Sequence, residues 1–292
     1  MSAPDELFTL KCHFYVGNYQ AAIQEGTLLK HLSDPYAVDR DVYIYRSHLA
    51  CNRSAHVLEE LGRRGELPIA LDAIRLLAMY SQDPSNKEMV LLTLNEWMTS
   101  DLSNNAHLLL VAGIIYGSEL KFSDAFSALQ RPNATLEHSA LCVQLYLQMD
   151  RLDQAKKQVQ TMRSIEEDST LTQLASAWVD LAQGGTKCDE AAMVFQELGD
   201  RFGTSNTLLN GGAVAFMMMK NYSEAERLLN EAEATDPDTL INRIAVGQHL
   251  NKSQAEIDQY IAQLKQVAPT HRWLEKYTQL DAGFNRMASS FG

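Results

Sequence analysis

Residues 220–238 read KNYSEAERLLNEAEATDPD. Ala225 follows Tyr222 by three positions, and Leu229 and Ala232 continue an apolar face at helical spacing until Pro237 ends it. An alanine one turn behind an aromatic, at the start of a helix, marks a place where a second helix lies close. Only a small side chain lets two backbones approach there while the ring fills the space beside them.

The same word recurs along the chain: an aromatic or aliphatic residue, two polar residues, then alanine. It runs from Tyr19 to Ala22, Phe122 to Ala125, Leu152 to Ala155 and Cys188 to Ala191, with a weaker copy from Lys252 to Ala255. Two further copies carry valine in the alanine slot, Val57 and Val90. The slots are spaced by 30 to 36 residues, the mark of a repeat array whose unit is two helices of about 14 residues each. A small residue and a ring one turn later also recur upstream, as Gly113 with Tyr116, Val143 with Tyr146, and Ala213 with Phe216.

In the seventh unit Leu209, Ala213, Phe216, Tyr222, Ala225, Leu229, Ala232 and Pro237 resemble the tetratricopeptide pattern of paired helices. The expectation is an all-α, tetratricopeptide-like solenoid of about eight hairpins, one domain over residues 1–292. Its repeats cover about 5–269, and a C-terminal capping helix over about 271–288 carries Trp273, Tyr277, Leu280, Phe284 and Met287 at helical spacing. Asn221 with Glu224, Asn251 with Gln254 and Thr170 with Gln173 are expected to open helices, and Gly184–Gly185 to close one.

The composition, 46% hydrophobic and 21% charged, supplies ample core, and no linker-like stretch divides the chain. A net charge of −12 without a basic stripe argues against a nucleic-acid binder. The N-terminus has no basic and apolar leader, and the longest apolar run, HLLLVAGIIYG at 107–117, is about half a membrane span. Cys12, Cys51, Cys142 and Cys188 lie far apart, as reduced thiols of a cytoplasmic protein would.

No catalytic or metal-binding pattern survives inspection. GGTKC at 184–188 holds the pieces of a phosphate loop in the wrong order and reads as a helix-ending turn. His48 and His56 are two turns apart, but a hairpin boundary near Asn52 separates them. The carboxylates of SIEEDST at 164–170 read as a solvated loop between hairpins. N-x-[ST] matches at Asn52, Asn133, Asn221 and Asn251 fall mostly where capping residues are wanted. The expectation is no enzyme, no cofactor and no metal.

A closer resemblance covers nearly the whole chain. DELFTLKCHFYVGNYQAAI near the start, DVYIYRSHLA at 41–50, DSTLTQLASAWVDLAQGGTKCDEAAMVFQEL at 168–198, LLNGGAVAFMM at 208–218, NYSEAERLLNEA at 221–232 and YIAQLKQ at 260–266 are similar to the epsilon subunit family of coatomer, the COPI vesicle coat. The resemblance implies a non-catalytic coat component, peripheral on Golgi membranes and COPI-coated vesicles, that serves Golgi-to-ER retrograde and intra-Golgi transport. It also implies a partner: the C-terminal domain of the coatomer alpha subunit, with the repeats curling around a projecting segment.

If the first helix of each hairpin lines the concave face, the inward candidates are Arg75, Met79, Leu110, Ile114, Gln144, Leu147, Ser176, Asp180, Asn210, Val214 and Met217. In FMMMK at 216–220, Met217 and Met218 would then face a partner, unless they pack in the core. This mixed, partly apolar set suits a protein segment. A co-chaperone that grips a C-terminal carboxylate would want lysine and arginine there, and only Arg75 is basic. An adaptor of another assembly is the remaining alternative.

Overall fold

Every regular element of the computed structural model, which describes residues 5–291, is helical. The helices come in hairpins: α1 (Phe8–Tyr15) with α2 (Tyr19–Leu28), α3 (Asp34–Ala50) with α4 (Ser54–Arg63), α5 (Ile69–Gln82) with α6 (Lys87–Thr99) and α7 (Ala106–Ser118) with α8 (Phe122–Leu129). Next come α9 (Leu136–Gln148) with α10 (Leu152–Glu166), α11 (Thr170–Gln183) with α12 (Lys187–Phe202), α13 (Asn206–Met218) with α14 (Tyr222–Glu231) and α15 (Pro237–His249) with α16 (Gln254–Val267). Helix α17 (Arg272–Phe291) ends the described chain, and short 3-10 turns at Pro84–Asn86 and Asp101–Asn104 flank α6.

These helices gather into two compact units, one up to Gln183 together with Asp200–Gly203, the other Gly184–Gly199 together with Thr204 onward. In the first unit α1 packs against α3, α3 against α5, α5 against α7, α7 against α9 and α9 against α11. Helix α11 then returns to α1, so the row of first helices closes into a ring. Cys12 Sγ lies 3.4 Å from Thr170 Oγ1, and the Asn18 amide donates to the Phe202 carbonyl at 2.9 Å, fastening the closure across about half the chain. In the second unit one core gathers around Ala213, Ala225, Leu229 and Val246, and another around Leu240, Ile244, Ile257, Ile261, Leu264 and Leu274.

The repeat word is realised in seven of its eight places. Ala22, Val57, Val90, Ala125, Ala155, Ala191 and Ala225 are all 0% exposed. Ala255, by contrast, is exposed. The register slips by two residues because Ser253, not Asn251, caps α16, forming a capping box with Glu256. Ile257 then sits four residues past the cap, where Ala225 sits past Asn221. Its bulk is accepted because Gly247 stands opposite: a Cβ there would meet Ile257 Cδ1 at 2.7 Å.

Sharp turns join each pair. Five residues before the slot, the backbone is left-handed at Gly17, Asn52, Leu120, Asp150 and Lys220, with φ between 57 and 84°. Only the first is glycine, so the hairpin imposes this conformation on side chains that resist it.

Other caps differ in part from expectation. Asn221 Oδ1 accepts the Glu224 amide, but the Glu224 carboxylate turns to Arg227 rather than back to the cap. Helix α11 is opened by Ser169, whose hydroxyl accepts the Thr172 amide at 3.2 Å, which leaves Thr170 inside the helix facing Cys12. Gly184 and Gly185 do end α11 with positive φ. Ser164 to Glu166 continue α10 instead of forming a loop. Trp273 and Tyr277 stack at 5.1 Å and pack against the last hairpin, but Leu280, Phe284 and Met287 are 64–75% exposed. The cap is therefore the first two turns of α17 alone.

Candidate functional site

The ring of first helices in the first unit encloses a cavity of about 630 Å³, lined from α1, α3, α7, α9 and α11, the turns before them and the last residue of α10. Its walls combine apolar Phe8, Leu110, Leu136 and Leu171 with Tyr15, Asp39, Tyr43, His107, Glu137 and Glu166. A cavity of this size, partly apolar and with a few converging polar groups, has the character of a binding site.

Beside it a buried network spans helices that are not neighbours in the ring. Arg46 on α3 donates from Nη2 to Glu137 Oε1 on α9 at 2.5 Å, with the two side chains 10% and 13% exposed. Its guanidinium lies 4.5 Å from the centre of the Phe14 ring and 5.5 Å from that of Tyr43, where the aromatic faces favour a cation. Tyr43 donates to Glu137 Oε2 at 3.2 Å, and the Tyr15 and Tyr43 hydroxyls meet at 2.6 Å. Burial disfavours both charges of the pair, but each partner outweighs it. The Arg46 pKa is held above its ordinary value and that of Glu137 below. Burial and the Glu137 charge push both tyrosines well above theirs.

A second contact links α3 and α7, where His107 Nε2 lies 2.7 Å from Asp39 Oδ1. His138 is 1% exposed and has a local task. Its Nδ1 accepts from the Thr135 amide at 3.1 Å while Nε2 donates to the Ala106 carbonyl at 3.0 Å, so a neutral imidazole caps α9 and ties it to α7. Burial lowers its pKa. Spacing gives no reason to pair histidines, yet His48 and His56 meet edge to face, with centroids 4.7 Å apart. The hairpin expected to separate them folds them together. Among the described residues no three metal-binding side chains converge, and no helix is long and apolar enough to cross a membrane.

Two kinds of comparison identify the family. The model of the coatomer epsilon subunit family matches residues 3–292. The chain is 39% identical to coatomer subunit epsilon-1 of Arabidopsis thaliana, covering 100% of this chain and 99% of that one. It is 32% identical to coatomer subunit epsilon of Dictyostelium discoideum, covering 98% and 99%. The chain belongs to the coatomer epsilon family. Membership places it among the subunits of the COPI vesicle coat.

Solved structures agree on the fold. A tetratricopeptide repeat protein from Parabacteroides merdae superposes with a TM-score of 0.60 at 15% identity, covering 90% of this chain and 98% of that one. The APC/C hetero-tetramer Cut9–Hcn1 gives 0.60 at 15%, covering 91% and 53%. The tetratricopeptide-like solenoid is thus the architecture of this epsilon-family chain.

The residues singled out from spacing are scattered by the fold. Leu110, 3% exposed, lines the cavity. Met79, Ile114 and Leu147 are half-buried against the cores. Arg75 pairs with Asp72 of its own helix at 2.8 Å, and Ser176 accepts from Arg163 at 3.2 Å. Gln144 is exposed and Asp180 half-buried.

In the second unit Asn210 is 8% exposed, donating to Thr239 Oγ1 and accepting from Asn242 at 2.8 Å each, which staples α13 to α15. Val214 is half-buried, Met217 packs on the Ala225 core and Met218 is 55% exposed. The cavity residues Tyr15, Asp39, Tyr43, His107 and Glu137 are not marked by spacing, and Glu166 stands out only as one of the carboxylates at 164–170. What unites them is contact between segments about 30 to 160 residues apart.

Proposed function

We propose that this chain is a non-catalytic subunit that binds and stabilises the C-terminal domain of the coatomer alpha subunit, and so supports Golgi-to-ER retrograde and intra-Golgi transport. In this role it works in the cytoplasm, peripheral to Golgi membranes and COPI-coated vesicles, and reaches the rest of the coat through alpha. The observation that carries the reading is the cavity itself: first helices closed into a ring around 630 Å³ of space, with polar and apolar side chains facing it. A projecting protein segment fits such a space, and the first-helix faces, Arg75 to Asp180 in this unit and Asn210, Val214 and Met217 in the other, are where further contacts are sought. An adaptor for another assembly would use the same surface, but full-length likeness to coatomer epsilon chains favours the coat.

The test is a pull-down with the purified C-terminal domain of the coatomer alpha subunit at physiological salt, followed by a thermal melt of the mixture. Binding to native protein raises the melting temperature by mass action, so retention together with an upward shift is expected. No retention would remove the named partner.

A further inference from the structure

Four carboxylates line the cavity: Asp5, Asp39, Glu137 and Glu166. The one lysine or arginine among the lining residues is Lys11, and it is already committed to Asp5 at 2.8 Å. Glu137 is answered from behind by Arg46. Among the described residues Asp39 bonds through one oxygen to the His107 imidazole, and no lysine or arginine of the cavity wall is left for Glu166. Two carboxylates therefore face the cavity without a lysine or arginine of its lining to receive them. Beside them is an aromatic surface suited to a cation, Phe8, 52% exposed, while the Tyr43 ring deeper in the wall already carries Arg46.

The geometry points to basic side chains, lysine or arginine, of the bound protein segment as the occupants of this cavity, with Asp39 and Glu166 as the carboxylates that receive them. Their aliphatic stems lie against Phe8, Leu110 and Leu136 while the charged ends reach the acidic groups. An acidic or phosphorylated segment would meet like charge, and a wholly apolar one would strand both carboxylates in a narrowed, poorly hydrated space. A bound metal ion is the weaker fit, since no three metal-binding side chains come together among the described residues. This assignment rests on the partner-binding reading above and adds the chemistry of the partner's residues.

The test uses the full chain and the C-terminal domain of the alpha subunit, with affinity measured by calorimetry at low and high salt. The variants are Asp39→Asn, Glu166→Gln and the two combined, with Glu60→Gln on α4, outside the cavity, as control. Each cavity substitution is expected to weaken binding by about fivefold, the upper end for an exposed ion pair. The double variant should lose most of the salt dependence seen with the wild type, and Glu60→Gln should change neither. Glu166 is exposed, so Glu166→Gln and the charge-reversing Glu166→Lys keep the test valid even if Asp39→Asn loosens α3. The order wild type, Gln, Lys in falling affinity is the expected result. Wild-type affinity and salt dependence in the double variant would overturn the assignment while leaving the partner in place. Failure of the wild type to bind would overturn the partner and this assignment together.

Discussion

Arg46 of α3 and Glu137 of α9 are 91 residues apart in sequence and meet at 2.5 Å. Helices α3 and α9 are separated in the row by α5 and α7, so the ion pair acts as a cross-brace of the ring. The Phe14 and Tyr43 rings and the Tyr43 hydroxyl complete its surroundings.

Removing one partner of this brace leaves the other charge buried. Glu137→Ala or Arg46→Ala is expected to lower stability by about 3 kcal/mol, whereas Arg46→Met with Glu137→Leu should cost far less, because both charges leave together. Urea denaturation of the full chain checks this. Additive losses in the double variant would show that the brace carries no coupling.

Acid should act on the same region. The folded-state pKa of Glu137 is lowered, so its contribution is present above the unfolded value near 4.5 and is lost as pH falls through the folded value. His138, its pKa lowered by burial, contributes above about 6.5 and loses that contribution below it. The melting temperature is therefore expected to decline in two stages on acidification, and Glu137→Gln should remove the second. A profile flat between neutral pH and about pH 5 would contradict the His138 assignment, and an acid decline below about 4.5 that Glu137→Gln leaves unchanged would contradict that of Glu137.

The helix crossings allow no growth. Ala225 is 0% exposed, and Ala225→Leu should cost about 1–3 kcal/mol by overpacking. Gly113→Ala is expected to be destabilising as well, since its Cβ would fall 2.5 Å from Leu129 Cδ2, in the core. The same denaturation midpoints measure both.

One substitution should stabilise. Leu120 is 52% exposed and holds φ at 58°, a conformation costly for a side chain with a Cβ. Leu120→Gly is expected to raise stability by up to about 1 kcal/mol, net of glycine's greater unfolded entropy. A lowered midpoint would mean that the leucine side chain contributes more than its backbone costs.

The hairpins were legible in the sequence because their determinants are local: an alanine slot, a ring one turn away and a turn between them. Ala255 misled for a physical reason. The small residue of the last crossing is Gly247, on the other helix, so no small residue was needed in the slot assigned to Ala255. The outer turns of α17 misled differently, since helical spacing shows which face is apolar but not what covers it. The cavity was illegible because Tyr15, Asp39, His107 and Glu137 converge only once α11 has returned to α1. Periodicity placed Leu110 there, and nothing in it distinguishes Ser176 or Asn210, which use their hydrogen bonds inside the solenoid, from residues free to bind.

A partner segment inside the ring of first helices is the centre of the functional reading. Ala106 lines that space from the first position of α7, so Ala106→Trp places a large ring in it with little demand on the helix itself. The measurement is the affinity of this full-length variant for the C-terminal domain of the alpha subunit, alongside its helical melt. Lost binding with the melt preserved is the predicted result. Wild-type affinity from an equally well-folded variant would place the partner elsewhere.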